Sequence, residues 1–513
     1  MSDGARSKHT LDKDLGRLAD IEEATGFVAR GFLAPGLALL FLLLAASAAA
    51  IYVFGQPQAI VVVIAAAMAA YLAMNIGAND VANNVGPAVG AKAMTMVSAL
   101  IIAAIFETAG ALIAGDAVVA TISSNIIQPE VVSDPAVLIR LMLAGLVSSA
   151  LWINFATWIG APVSTTHSIV GGVVGAGAAA AGLGAVDWLS MTTIATSWVV
   201  TPILGAAVAI VFQAFIKTAI IYQDDKIAAA RRWVPLLIAL MAGSFATYLV
   251  TKLFPGAGAG VTALVGIACF LLAWALSHRS VLAQSQGLEN RNRSLRKLFR
   301  LPLIGSAALL SFAHGANDVA NAVGPLAAIV DAARKSAVAD VVNIPFWVML
   351  IGALGISCGL LLYGPKLVRV VGGEITKLNP MRAFSVALAV AIIVIVASWF
   401  GLPVSSTHIA VGAVFGVGFF REWYIENSKH RRAYLERRRQ LKKTGKAGSK
   451  NESAEDDEDD DDNPRKGPSN EEITRRRLVR RAHVRTIVMA WATTVPASAL
   501  LAATIFALLG AVS

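Results

Sequence analysis

One heptapeptide, Gly-Ala-Asn-Asp-Val-Ala-Asn, occurs at Gly77–Asn83 and again at Gly315–Asn321, and both copies run on into Val-Gly-Pro at Val85–Pro87 and Val323–Pro325. Each copy sets a carboxylate, Asp80 or Asp318, beside helix-breaking Gly and Pro at the end of a long apolar run. An Asp at mid-helix in lipid costs roughly 2.5–3.5 kcal/mol on the insertion scale, so such a residue is read as part of an ion or substrate path. Incurring that cost twice, at corresponding places, predicts paired and interrupted membrane helices of the kind that carry a solute.

A second duplicated element adds donors. Gly160-Ala161-Pro162-Val163-Ser164-Thr165-Thr166-His167 is echoed by Gly401-Leu402-Pro403-Val404-Ser405-Ser406-Thr407-His408. Pro before a run of hydroxyl residues is a helix-start signal, because Pro tolerates the first turn and Ser or Thr caps free amides. A helix N-terminus carries unpaired N–H groups and roughly half a positive charge. With Ser164, Thr165 and Thr166 on one side and Ser405, Ser406 and Thr407 on the other, the two tips form a cradle for an oxyanion. Neither motif contains Lys or Arg, which suits a site that must release what it binds. An anion beside Asp80 and Asp318 would be repelled by several kcal/mol, roughly 4 per charge pair at 4 Å and an effective dielectric of 20. Cations bridging the Asp oxygens, helped by the carbonyls of Asn79, Asn83, Asn317 and Asn321, or protons on the Asp residues, must therefore arrive with it. Entry of the anion is then coupled to a cation.

The elements that position these residues are legible from composition. Of 513 residues, 56% are hydrophobic and 15% charged, and the mean hydropathy is +0.66; this describes a polytopic membrane protein. Apolar stretches begin near Phe32, Ala59, Ser98, Leu138, Pro162, Met191, Val234, Gly260, Leu301, Pro345, Arg382, Pro403 and Thr486, and none shows the alternation of a membrane barrel. The expected fold is all-α, with about 12–13 membrane segments in inverted-topology repeats with interrupted or re-entrant helices. Cys269 and Cys358 lie inside apolar segments and imply no disulfide.

Net charge is +10, but the basic residues cluster in alternate loops, which argues against nucleic acid and for the positive-inside rule. The spans alternate with the N terminus cytoplasmic and the C terminus outside, in a bacterial-type plasma membrane. Seven segments follow: a cytoplasmic N-terminal segment 1–31, an extra helix 32–56, a first repeat 57–216, connecting helices with a basic loop 217–300, a second repeat 301–427, a charged insert 428–484 and a final helix 485–513. The insert has an acidic block at Glu455–Asp462 between basic runs and is expected to be disordered.

These paired motifs resemble those of the inorganic phosphate transporter (PiT) family from about Ala59 to Phe420 and into the last helix. The resemblance implies an inverted-repeat carrier that moves orthophosphate with Na⁺ or H⁺, with no cofactor or resident metal. It puts Asp80 and Asp318 at the cation sites and Ser164, Thr165, Thr166, Ser405, Ser406 and Thr407 around phosphate; with them Asn83, Asn321 and Glu107 are expected on the cation side and Asn79 and Asn317 on the phosphate side. Bacterial relatives often carry a neutral metal-phosphate complex with H⁺. Glu107 resembles an acidic residue of the family's first repeat, whereas Ala387 stands where sodium-coupled relatives tend to have Glu in the second; this favours H⁺ over Na⁺.

Each motif also has a purely structural reading. Asp80 and Asp318 could cap helices, the hydroxyl clusters could bond back to helix carbonyls, and His167 and His408 read better as turn-locking residues than as proton carriers. His314 has no counterpart in the first repeat, which has Ile76, and ranks as secondary. The Gly-rich run Gly171–Gly184 reads as a close-packing helix face. Sulfate is the alternative cargo. A membrane-embedded phosphotransferase is remote for want of an activated nucleophile, and a passive channel would favour rings of charge. Membrane lipid is an obligatory surrounding, and a homo-oligomer is compatible with the sequence.

Overall fold

The computed structural model describes residues 33–158, 163–339, 341–370, 378–443, 489 and 492–511. It is all-α: among these residues the sole β-pairing is an isolated antiparallel bridge between Ile127 and Val186. Among the described residues ten helices are long and apolar enough to cross a membrane, or eleven if the bent pair Asn292–Leu298 and Arg300–Lys335 is one span.

The first half comprises α1 (Leu33–Tyr52), α2 (Ala59–Gly90), α3 (Met96–Ala114), α4 (Asp116–Ser124), α5 (Pro135–Trp158), α6 (Thr165–Ala181) and α7 (Trp188–Ile216). A peripheral hairpin, α8 (Lys226–Leu253) and α9 (Ala259–Ser285), follows, and then short α10 (Asn292–Leu298). The second half is α11 (Arg300–Lys335), α12 (Phe346–Val370), α13 (Pro380–Trp399), α14 (Ser406–Asn427), α15 (Lys429–Lys443) and α16 (Ala492–Ala511). With 17 residues, α6 is about 26 Å long, short of the roughly 30 Å hydrocarbon core.

Each half packs by exchange with the other. Gly77 of α2 lies against the backbone of Ile356 in α12, and Gly359 of α12 lies against Met74. The same crossing recurs between α11 and α3, with Gly315 on Glu107 and Gly110 on Phe312. A Cβ at any of these four glycines would overlap a backbone carbonyl, so the small residues allow the helix axes to approach as membrane helices do when packing replaces the hydrophobic drive. The pattern repeats farther along: Gly171 and Gly175 of α6 receive α16 at Val495 and Ala499, while Gly412 and Gly416 of α14 receive α7 at Pro202 and Ala206. From Gly171 to Gly177 the Gly-rich run is thus a packing face, as its composition predicted, whereas Gly182 and Gly184 have nothing within 4 Å of an added carbon.

Two expectations change. The heptapeptides do not break their helices: α2 and α11 run through Asp80 and Asp318 with Pro87 and Pro325 inside them. Their glycines are spent on interhelical contact, and packing stabilises the prolines within the helix. The interruptions lie at the Pro-Val-Ser elements, between α5 and α6 and between α13 and α14. The charged insert expected to lack structure from 428 begins as α15, because Lys, Arg, Glu, Gln and Leu are strong helix formers and the helix docks. Tyr434 lies 5.5 Å from Tyr222, and Arg437 pairs with Asp224 at 3.2 Å. The acidic block, the N-terminal segment and residues 159–162 of the first Pro-Val-Ser element lie outside the described residues.

Candidate functional site

α11 is buried at every position from Ser306 to Ala333 and forms the axis of the bundle. Asp318, at its midpoint, is 1% exposed, as is Asp80 on α2. Opposite them stand the tips of α6 and α14. Ser164 and Ser405 are the N-caps, their hydroxyl oxygens accepting from the amides of His167 at 3.2 Å and His408 at 3.3 Å. These two serines are therefore engaged in ending the helices, as Ser commonly is.

The next residues of each tip face the carboxylates. Thr165 donates to Asp80 Oδ2 at 3.3 Å, and its counterpart Ser406 donates to Asp318 Oδ2 at 3.3 Å. Thr407 donates to Asp80 Oδ1 at 3.1 Å and accepts from Asn83 at 2.9 Å. In the mirrored position Asn321 donates to Thr166 at 3.2 Å, while Thr166 donates to the Val404 carbonyl at 3.0 Å. Asp80 is thus held by both tips.

The two flanking asparagines differ. Asn79 donates to Asp80 Oδ1 at 3.2 Å. Asn317 donates to Ser398 and to the Leu402 carbonyl and accepts from the Val404 amide, so it fastens the loop that carries the α14 tip. It positions that tip, a task the sequence did not reveal.

His314 is at the centre. One helical turn before Asp318, its Nε2 lies 2.8 Å from Asp318 Oδ2 and 3.8 Å from Asp80 Oδ2, and its Nδ1 lies 3.3 Å from Glu107 Oε1. Glu107 accepts from Asn84 at 2.8 Å. Ligand atoms of Asp80, His314 and Asp318 fall within 4.8 Å of one another, the spacing of a three-ligand cation site. Three buried carboxylates around one imidazole require countercharge, from a proton within the cluster or from a metal ion.

His314, expected to be secondary, and Asn84, which no motif singled out, both reach this cluster. The sequence signal for His314 is its i, i+4 spacing to Asp318, which puts both on one helix face, while its repeat counterpart is Ile76. His167 and His408 lie behind the tips with ring centroids 4.6 Å apart, and His167 sits edge-on to Trp198 at 3.9 Å; that setting fits the structural reading. Ala387 is buried in α13.

The geometry has relatives. A family model described as the phosphate transporter family matches residues 76–502. A protein of Helicobacter pylori named "Putative phosphate permease" is 44% identical over 97% of this chain and 99% of its own. One of Pyrococcus abyssi with the same designation is 39% identical over 68% of this chain and 86% of its own. The solved structure named "The sodium-dependent phosphate transporter" superposes with TM-score 0.74 at 32% identity, covering 88% of this chain and all of that one.

Proposed function

This chain belongs to the phosphate transporter family, and from that premise we propose that it imports inorganic phosphate by symport with a cation, H⁺ in preference to Na⁺. The observation that carries the reading is competition for donors. The hydroxyls of Thr165, Ser406 and Thr407, which would grip a tetrahedral anion, are donated to Asp80 and Asp318. A proton or cation on those carboxylates weakens their demand for donors and releases the hydroxyls to the anion. Neither ligand then binds well without the other, which is coupling in its thermodynamic sense.

His314 supports the preference for H⁺. Its imidazole lies among the carboxylates, and histidine is the side chain whose charge changes most readily near neutral pH. The sodium dependence named for the solved relative is the competing coupling. The same His nitrogen also favours a second reading, carriage of a neutral metal-phosphate complex, because imidazole beside two carboxylates suits a divalent transition metal better than Na⁺. Import is the direction we assign, across a bacterial-type plasma membrane, with the N terminus cytoplasmic and the C terminus outside; the clustering of Lys and Arg in alternate loops supports this orientation.

Labelled-phosphate uptake into vesicles, driven separately by a pH gradient and by a Na⁺ gradient and with sulfate as competitor, tests the proposal. We expect accumulation under the pH gradient and no competition by sulfate. Accumulation under Na⁺ alone would reverse the coupling, and equal competition by sulfate would remove phosphate selectivity.

A further inference from the structure

Four donors hold the loop that carries the α14 tip. Between α13 and α14, successive carbonyls each accept from a side chain of a different helix: Gly401 from Thr121 of α4 at 2.7 Å, Leu402 from Asn317 of α11 at 3.0 Å, Pro403 from Trp198 of α7 at 2.9 Å and Val404 from Thr166 of α6 at 3.0 Å. Gly401 and residues 403–405 are buried. A carbonyl without a donor is costly at membrane depth, so an irregular loop there keeps its shape only while protein groups satisfy it. Asn317 and Thr166 belong to the site already described. Thr121 and Trp198 lie outside both repeated motifs.

Thr121 is diverted from its ordinary partner. A helical Thr bonds back to the carbonyl four residues earlier, and that of Ala117 lies 3.3 Å away, but the Gly401 carbonyl is nearer and takes the proton. So close an approach needs glycine: Gly401 has φ +66°, and a Cβ on it would stand 3.1 Å from both the Ala117 carbonyl oxygen and Thr121 Oγ1. The start of α4 is fixed to the same region. Lys252 of α8 pairs with Asp116, the first residue of α4, at 3.2 Å and stands 5.8 Å from the ring of Trp399, which leads into the loop. Trp198 serves both tips, since its ring meets His167 edge-on at 3.9 Å while its Nε1–H donates to Pro403.

We propose that Thr121 and Trp198 are positioning residues for phosphate: by holding the loop from Phe400 to Ser405, they aim the hydroxyls of Ser406 and Thr407 and the free amides of the α14 tip at the anion. The proposal rests on phosphate as the cargo of the hydroxyl tips. Ser406 and Thr407 follow the loop directly, so a displacement of its backbone passes to both hydroxyls, and hydrogen bonds weaken steeply with misalignment. Loss of either donor leaves a buried carbonyl unpaired, and the loop shifts to recover a partner at the expense of the tip. Affinity then falls, while Asp80, Asp318 and His314, which do not touch these two donors, keep their places.

Labelled-phosphate saturation curves in vesicles compare the parent with three variants. Thr121→Val keeps the shape and removes the hydroxyl, Thr121→Ser keeps the hydroxyl, and Trp198→Phe keeps a ring beside His167 and removes the N–H. We expect the half-saturating concentration to rise roughly tenfold in Thr121→Val and in Trp198→Phe, with the maximal rate per inserted protein kept and Thr121→Ser matching the parent. Hydrogen–deuterium exchange of the purified chain without substrate gives a second reading, in which Thr121→Val should quicken exchange over residues 400–407 and leave residues 163–170 unchanged. An unchanged half-saturating concentration in both Thr121→Val and Trp198→Phe, or a fall in maximal rate alone, would overturn the proposal. A parent that accumulates no phosphate would defeat the choice of cargo instead, and exchange then decides: equal rates over residues 400–407 in parent and Thr121→Val remove the positioning role, and quicker exchange in the variant sustains it.

Discussion

Thr108 and Ser357 hydrogen-bond to each other at 2.7 Å, and they occupy the same position in their respective repeats. The glycine contacts fix that equivalence: Gly315 packs on Glu107 and Gly77 on Ile356, the residues immediately before the pair. A pseudo-twofold axis passes between them, and the adjacent rings of His167 and His408 straddle the same axis. Around it the scaffold is symmetric, but the site is not. Glu107 answers to Ile356, His314 to Ile76, and Asn84 to Ala322. One side of the axis therefore carries a buried ionisable pair where the other carries two isoleucines.

Asp80→Asn and Asp318→Asn should each abolish concentrative uptake while the protein remains inserted. Asn keeps the volume and can still accept from Thr165, Ser406 and Thr407, but it does not bind a proton or a cation with charge. Labelled-phosphate accumulation in vesicles with matched protein levels is the readout; normal accumulation by both variants would remove these carboxylates from the coupling mechanism.

Replacing Thr166 or Thr407 by Ala should raise the phosphate concentration for half-maximal uptake by roughly tenfold, the equivalent of about one lost hydrogen bond to a charged group. Thr407→Ala should be the more severe, since Thr407 donates to Asp80 and accepts from Asn83, whereas Thr166 spends its proton on the Val404 carbonyl. An unchanged concentration dependence in both would count against the hydroxyl tips as the anion cradle.

His314→Gln retains a polar side chain but removes the imidazole from among Asp80, Asp318 and Glu107. Uptake driven by a pH gradient should fall at least about tenfold, in line with the usual contribution of a positioned proton-transfer group. Undiminished pH-driven uptake would place the coupled proton elsewhere.

The four glycines of the exchanged crossings should be intolerant of any side chain. Gly77→Ala, Gly110→Ala, Gly315→Ala or Gly359→Ala forces apart backbones in contact, at the upper end of the roughly 1–3 kcal/mol that overpacking costs. Gly260→Ala, in α9 with nothing within 4 Å of the added carbon, should be neutral or stabilising by up to about 1 kcal/mol. Thermal melts of the purified variants give the order; equal melting temperatures for Gly315→Ala and Gly260→Ala would refute the packing argument.

The sequence by itself determined that the chain is helical and membrane-embedded, because hydrocarbon leaves backbone groups few other ways to be satisfied. It also determined that two Asp motifs and two Ser/Thr motifs form a mirrored set, since duplication is visible in one dimension. Tertiary structure decided which of these residues meet. The helix starts behind Pro162 and Pro403 were legible as local signals, but that Asn317 fastens a loop and that α2 and α11 run unbroken through Asp80 and Asp318 depend on contacts between residues distant in sequence. His314 is the clearest case. Its spacing from Asp318 was legible, but its value comes from Glu107 and Asp80, which reach it only when α3 and α2 pack against α11.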